Sequence, residues 1–356
     1  MTKLQLNPNV ATLAPYQPGK PVEELERELG ITGAIKLASN ENPRGPGPKV
    51  RAALARAGEQ LSRYPDGSGF RLKRALSAKL GVTPDSLTLG NGSNDVLELI
   101  ARVALTPGAE GIVSEHAFVV YPLAIVSLGG KLVTVPARDW GTDLDGILRA
   151  VTDRTRIVYV ANPNNPTGTW VNRARMEAFL ARVPDHVVVV LDEAYFEYVT
   201  DRDYPDGIAL LSRHPNLVVT RTFSKVHGLA ALRVGYGVSS PELADLMNRV
   251  RQPFNVSSVA LECAEAALGD DAFVRTSREL NTAGLAQLEE GVARLQIAAI
   301  QSGGNFLTID LRRPAAPVYQ ALLQRGVIVR PIANYGLPNH LRITVGLPEE
   351  NERFLR

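Results

Sequence analysis

The sequence is nearly without cysteine. Cys263 stands alone among 356 residues, so no intrachain disulfide can form, and the chain suits a reducing compartment, the cytoplasm. Cys263 lies in the apolar stretch Val259–Leu268, where helix packing accounts for it better than chemistry. No apolar run approaches the roughly 20 residues a membrane helix needs, and the opening MTKLQLNPNV contains no signal-peptide core. An excess of one charge is missing too. Thirty-nine basic residues face 37 acidic ones, a formal net charge of +2, so neither nucleic acid nor an anionic membrane is expected as a partner. Small anions remain possible, because a site needs only local charge. No internal repeat or low-complexity tract occurs, and no metal is expected.

What is present is an ordinary globular balance, 45% hydrophobic and 21% charged, in a chain long enough for two domains and a sizeable core. Residues 1–45 read as an irregular, proline-punctuated arm with one short amphipathic helix at 22–29, ended by Gly30. Residues 46–250 read as α/β. Helices at 49–58 and 69–80 precede seven β-rich runs, at 87–89, 111–114, 131–135, 156–160, 187–191, 217–220 and 234–238. Runs such as Val187-Val-Val-Val-Leu191 are continuously apolar, the pattern of strands buried on both faces. Helical patterns at 93–105, 118–128, 143–150 and 172–182 lie between them. The expected fold class is therefore α/β: a seven-stranded, mostly parallel sheet with helices on both faces. About a dozen residues join the sixth run to the seventh, which leaves an antiparallel seventh strand open. Residues 251–356 read as a smaller α+β domain, with helix over 257–300 broken near Gly269, a helix at 316–325, and strands at 305–311, 327–330 and 341–345. The arm is expected to pack on this domain or on a partner.

Ligands of open α/β sheets bind beyond the carboxyl ends of the strands. Gly90-Asn-Gly-Ser-Asn-Asp95 follows the first run and opens a helix, so it is either an anion-binding N-terminus or a plain turn and cap. Asn162-Pro-Asn-Asn-Pro-Thr-Gly168 follows the fourth run as a stiff turn. Asp192-Glu-Ala-Tyr195 follows the fifth. An acid ending a run of valines is buried and needs a partner, for which a cationic heterocycle or a helix cap would serve. Thr222-Phe-Ser-Lys225 follows the sixth, with Arg233 eight residues on. A lysine there is either solvated or a nucleophile with a lowered pKa.

Taken in order, Asn162–Gly168, Asp192–Tyr195 and the stretch Ser224-Lys-Val-His-Gly-Leu-Ala-Ala-Leu-Arg-Val-Gly-Tyr236 resemble the fold-type I aminotransferases that use pyridoxal 5′-phosphate (PLP). Pro15-Tyr-Gln-Pro-Gly-Lys-Pro21, Leu37-Ala-Ser-Asn-Glu-Asn-Pro43, Arg63-Tyr-Pro-Asp66, Arg251-Gln-Pro-Phe-Asn255 and Leu341-Arg-Ile-Thr-Val-Gly346 narrow the resemblance to the histidinol-phosphate aminotransferases. It runs from about residue 7 to 351.

The resemblance implies roles. Lys225 would be the Schiff-base lysine and proton shuttle, with Asp192 paired to the pyridine nitrogen. Asn165 and Tyr195 would bond the phenolic oxygen, and Phe118 would stack on the ring. Ser93, Asn94, Ser224 and Arg233 would hold the cofactor phosphate, joined by Tyr64 from the other subunit of a homodimer with shared sites. Tyr16, Asn40, Arg330 and Arg342 would line the substrate side, the two arginines suiting a phosphate dianion. The implied reaction passes an amino group from L-histidinol phosphate to 2-oxoglutarate, giving glutamate, in two half-reactions within histidine biosynthesis. An aromatic amino acid aminotransferase and a threonine-phosphate decarboxylase share the scaffold. A PLP-sensing transcription regulator would need a helix-turn-helix ahead of it, and about 40 irregular residues precede the α/β pattern. His116-Ala117-Phe118 stands where the family commonly has Pro-Thr-Tyr or Pro-Ser-Phe, and His227 replaces a more usual Phe or Tyr, departures that bear on substrate preference and not on PLP binding. Arg356 falls short of where the family's last helix usually ends.

Overall fold

The computed structural model describes residues 6–356. Thirteen strands occur among them: β1 Ile35–Lys36, β2 Leu87–Asn91, β3 Glu110–Ser114, β4 Lys131–Val135, β5 Thr155–Ala161, β6 Val188–Asp192, β7 Leu217–Thr222, β8 Val234–Val238, β9 Ala298–Ile300, β10 Phe306–Asp310, β11 Val327–Ile328, β12 Arg330–Pro331 and β13 His340–Thr344. Seven form the central sheet, in the order β2-β8-β7-β6-β5-β3-β4. The valine run of β6 explains its sequence: Val189 and Leu191 pack into the cluster on one face, Val190 into the cluster on the other. A side chain so buried contributes about 1.5–3 kcal/mol each.

The central sheet is parallel except at β8, which runs antiparallel to both β7 and β2. Its connection from β7 contains only the short 3₁₀ turn Ala230–Leu232, whereas a parallel return needs a full crossover helix. From β3 the chain moves outward to β4, and from β5 it moves the other way through β6 to β7. The order reverses between β3 and β5, the switch point at which such sheets open a crevice.

A second sheet, β12-β13-β10-β9, is antiparallel throughout. It corrects the helix expected over 257–300. The helices are Ser258–Leu268 and Asp271–Arg294, and the chain then turns through Gln296 at φ 57° into β9. Ile297-Ala-Ala-Ile300 suits either state locally, and pairing with β10 decides it. The 327–330 run divides: β11 pairs in parallel with β1 of the arm, while β12 joins β13. Leu25 of the arm helix Val22–Leu29 packs with Ala38, Leu323 and Ile328.

Candidate functional site

The carboxyl ends of β2, β5, β6 and β7 and the turn after β3 open into one cavity of about 310 Å³, closed on its far side by β12, β13 and the arm. At one end lies an anion cradle. Gly92, at φ 77°, leads into the helix Ser93–Ala104, so Ser93 and Asn94 sit at a helix N-terminus, where the dipole and free N–H groups favour negative charge. A Cβ on Gly92 would stand 2.5 Å from Arg233 Nη2, and one on Gly235 2.4 Å from the Ser93 nitrogen. Both glycines are therefore what lets the Arg233 guanidinium and β8 close on this helix end. Arg233 Nη1 donates to Ser224 Oγ at 3.3 Å, and no acidic side chain pairs with Arg233 among the described residues.

At the middle lies Asp192, last residue of β6 and 6% exposed. Burial pushes its carboxyl up, opposed by two donors: Tyr121 Oη to Oδ2 at 2.7 Å and Thr220 Oγ1 to Oδ1 at 3.0 Å. The neighbouring Glu193 turns away, and its Oε2 accepts from Nε and Nη2 of the buried Arg221 at 2.9 and 2.7 Å, which ties the ends of β6 and β7 together. Lys225 Nζ donates to the Ser39 carbonyl at 3.3 Å, and burial, with the Arg342 charge nearby, lowers its amine to about 8. Tyr195 Oη accepts from Asn40 Nδ2 at 2.8 Å and is pushed up to about 12 by burial.

At the far end stand Arg330 and Arg342, register partners on adjacent antiparallel strands. Both are buried, and neither pairs with a carboxylate among the described residues. Arg342 donates to Asn165 Oδ1 and, at 2.7 Å, to the Ala38 carbonyl, while its Nε has no partner among the described residues. Arg330 donates to the Gln17 carbonyl at 2.6 Å and lies over the Tyr16 ring.

The cavity brings together thirteen of the fourteen residues singled out in the sequence, Phe118 included. Tyr64 is the exception. It is 84% exposed, stacks on Phe254 at 4.8 Å between centroids, and lies outside the cavity. Sequence reasoning missed Tyr121, Thr220 and Tyr335. Tyr121 sits one helical turn beyond Phe118, a usable signal, and Thr220 is the register partner of Asp192, which only the aligned sheet reveals.

The residues fit PLP. Among the described residues the cradle is free to take a phosphate, the buried acid has no cation at bonding distance, and a lysine with a lowered pKa shares the cavity with two uncompensated arginines. Among the described residues no helix is long and apolar enough to cross a membrane.

Comparison with known proteins agrees with this geometry. The family described as aminotransferase class I and II matches residues 32–356. Histidinol-phosphate aminotransferase 2 of Pseudomonas fluorescens is 58% identical over 350 residues, covering 98% of this chain and 95% of that protein. Histidinol-phosphate aminotransferase 1 of Nitrosococcus oceani is 56% identical over 347 residues, covering 98% and 94%. The crystal structure of histidinol-phosphate aminotransferase from Sinorhizobium meliloti in complex with pyridoxal-5′-phosphate superposes with a TM-score of 0.90 at 30% identity, covering 99% of this chain and 95% of that one.

Proposed function

We propose that this chain, which belongs to the class I and II aminotransferase family, uses PLP to move the amino group of L-histidinol phosphate to 2-oxoglutarate in two half-reactions, as a step of histidine biosynthesis in the cytoplasm. The observation that carries the substrate is the pair Arg330 and Arg342, buried, adjacent and without carboxylate partners among the described residues, in the cavity that also holds Lys225. Two such charges require an anionic ligand, and a phosphate takes both forks. The names of relatives at 52–58% identity support the same choice.

PLP, when bound, supplies an aldehyde for amines and a protonated ring that takes up the electron pair released at the substrate carbon. The chain does the rest. With its pKa lowered, Lys225 has a free amine available at mildly alkaline pH, able to attack and then to carry a proton. Asp192, kept in place by Tyr121 and Thr220, would hold the proton on the ring nitrogen. Because Tyr195 Oη already accepts from Asn40, its own proton is left to donate. Arg342 occupies Asn165 Oδ1 and leaves the amide nitrogen of Asn165 free, so Asn165 and Tyr195 would both bond the cofactor's phenolic oxygen. Ser93, Asn94, Ser224 and Arg233 would hold its phosphate, and Phe118 would cover the ring. Residues 46–250 then form the cofactor-binding domain and 251–356 the smaller one, with 1–45 as an arm.

The direct test is turnover of histidinol phosphate against phenylalanine. Arg330→Ala should raise KM for histidinol phosphate roughly 10–150-fold, the loss of a charge-assisted bond worth about 1.5–3 kcal/mol, and change KM for phenylalanine far less. Equal losses on both substrates favour the aromatic reading.

The exposed Tyr64 supports a homodimer in which it reaches the partner's cofactor phosphate. Tyr64→Ala should weaken PLP binding about tenfold, one hydrogen bond to a charged group. Mixed with Lys225→Ala subunits, a Tyr64→Ala subunit receives an intact phenol. One site per mixed dimer should then regain wild-type affinity. Subunit exchange without that recovery removes the shared-site reading.

A further inference from the structure

His116 takes a left-handed backbone conformation, φ 58°, that most side chains avoid. It stands in the turn after β3, two residues before Phe118, and its ring crosses from the central sheet to the second one. Its Nδ1 lies 2.5 Å from the carbonyl oxygen of Tyr335. A carbonyl only accepts, so Nδ1 carries the proton and donates. The His116 carbonyl in turn accepts from Asn164 Nδ2 at 3.3 Å, in the loop that bears Asn165. Three residues on, Val119 packs against Ile332, Tyr335 and Leu337. The same short turn therefore grips the segment 332–337 with one polar and one apolar contact. That segment carries the 3₁₀ turn Ala333–Tyr335, whose Tyr335 lines the cavity beside Arg330 and Arg342. Trp140 stands behind the His116 ring at 6.1 Å and meets His340, two residues before Arg342, at 5.0 Å.

We propose that His116 is a positioning residue that sets substrate affinity by clamping the Ala333–Tyr335 turn to the turn bearing Phe118. The clamp holds the span between the Lys225 end and the arginine end of the cavity. A substrate that engages both ends at once, an amine carrying a phosphate, depends on that span, whereas the chemistry at Lys225 does not. The inference rests on the phosphate reading of Arg330 and Arg342.

Three substitutions in the PLP-loaded enzyme separate the clamp from a structural role. Asparagine places an amide nitrogen where His116 has Nδ1 and tolerates the left-handed backbone. Glycine relieves the backbone but has no donor, and phenylalanine keeps the ring without one. His116→Gly and His116→Phe should each raise KM for histidinol phosphate about tenfold, with kcat within about threefold of wild type and the visible cofactor band unchanged. His116→Asn should stay within about threefold of the wild-type KM. Wild-type turnover of histidinol phosphate is measured first. If it is absent, the substrate reading fails alone, and the same comparison is made with glutamate, an amine that also carries anionic groups for Arg330 and Arg342. The clamp is overturned if KM is unchanged in the Gly and Phe variants, if Asn fails as badly as they do, or if kcat and the cofactor band collapse together with KM.

Discussion

Lys225→Ala should abolish transamination, lowering turnover by at least about 10⁴-fold, because one side chain supplies both the covalent anchor and the proton carrier. The loaded wild-type protein should be yellow, and borohydride should bleach it while fixing the cofactor's mass on the peptide that contains Lys225. The variant should release all its cofactor on dialysis after the same treatment. The lowered pKa adds a readout that needs no substrate. Burial, helped by Arg342, brings the amine from its ordinary 10.5 to about 8. Folding then disfavours the charged form. The cofactor-free protein should lose stability as pH falls from 10.5 through 8 and regain it as pH rises through that window. Lys225→Ala removes the titrating group and should flatten that part of a melting-temperature profile. A variant that transaminates normally, or a cofactor mass found on another lysine, sinks the assignment.

The route from sequence to this cavity was legible where a local pattern and a global rule coincide. Val187–Leu191 reads as a strand because burial on both faces removes any polar alternation, and the strand-end rule then picks out Asp192 immediately after it. The antiparallel β8 is legible in the shortness of the connection before it. The failures share one cause, dependence on a partner distant in sequence. Ile297–Ile300 is apolar enough for helix, and only β10 makes it a strand. The two-residue strands β1 and β11 exist only through each other. Thr220 matters because sheet register sets it opposite Asp192, and Tyr335 because β12 and β13 fold its turn over the cavity. His116 was visible as a departure from the family pattern, but the contact that gives it meaning joins residues 116 and 335.

Asp192→Asn should separate the charge at the cavity floor from its shape. Asparagine keeps the volume, can still accept from Tyr121, and can donate to Thr220 Oγ1, so neither neighbour is orphaned. In the cofactor-free protein, burial raises the Asp192 pKa. Such an acid contributes stability below its ordinary value of 3.8 and loses it as pH rises through the raised one. At neutral pH the variant should therefore melt no lower than wild type. Function should move the other way. Losing the ion pair with the ring nitrogen should weaken PLP binding by about 1.5–3 kcal/mol, roughly 10–150-fold. At saturating PLP, turnover should still fall by about 10³-fold, because the ring no longer keeps the proton that lets it accept electrons. Asp192→Ala is the harsher comparison. It strands the Tyr121 and Thr220 hydroxyls in a buried site, at about 1–3 kcal/mol for each unsatisfied group, and should lower the melting temperature as well as the rate. Stability held with turnover lost in Asp192→Asn is the expected signature of a group that acts through its charge. Wild-type turnover in that variant would show that Asp192 serves the fold and that the ring nitrogen takes its proton from elsewhere.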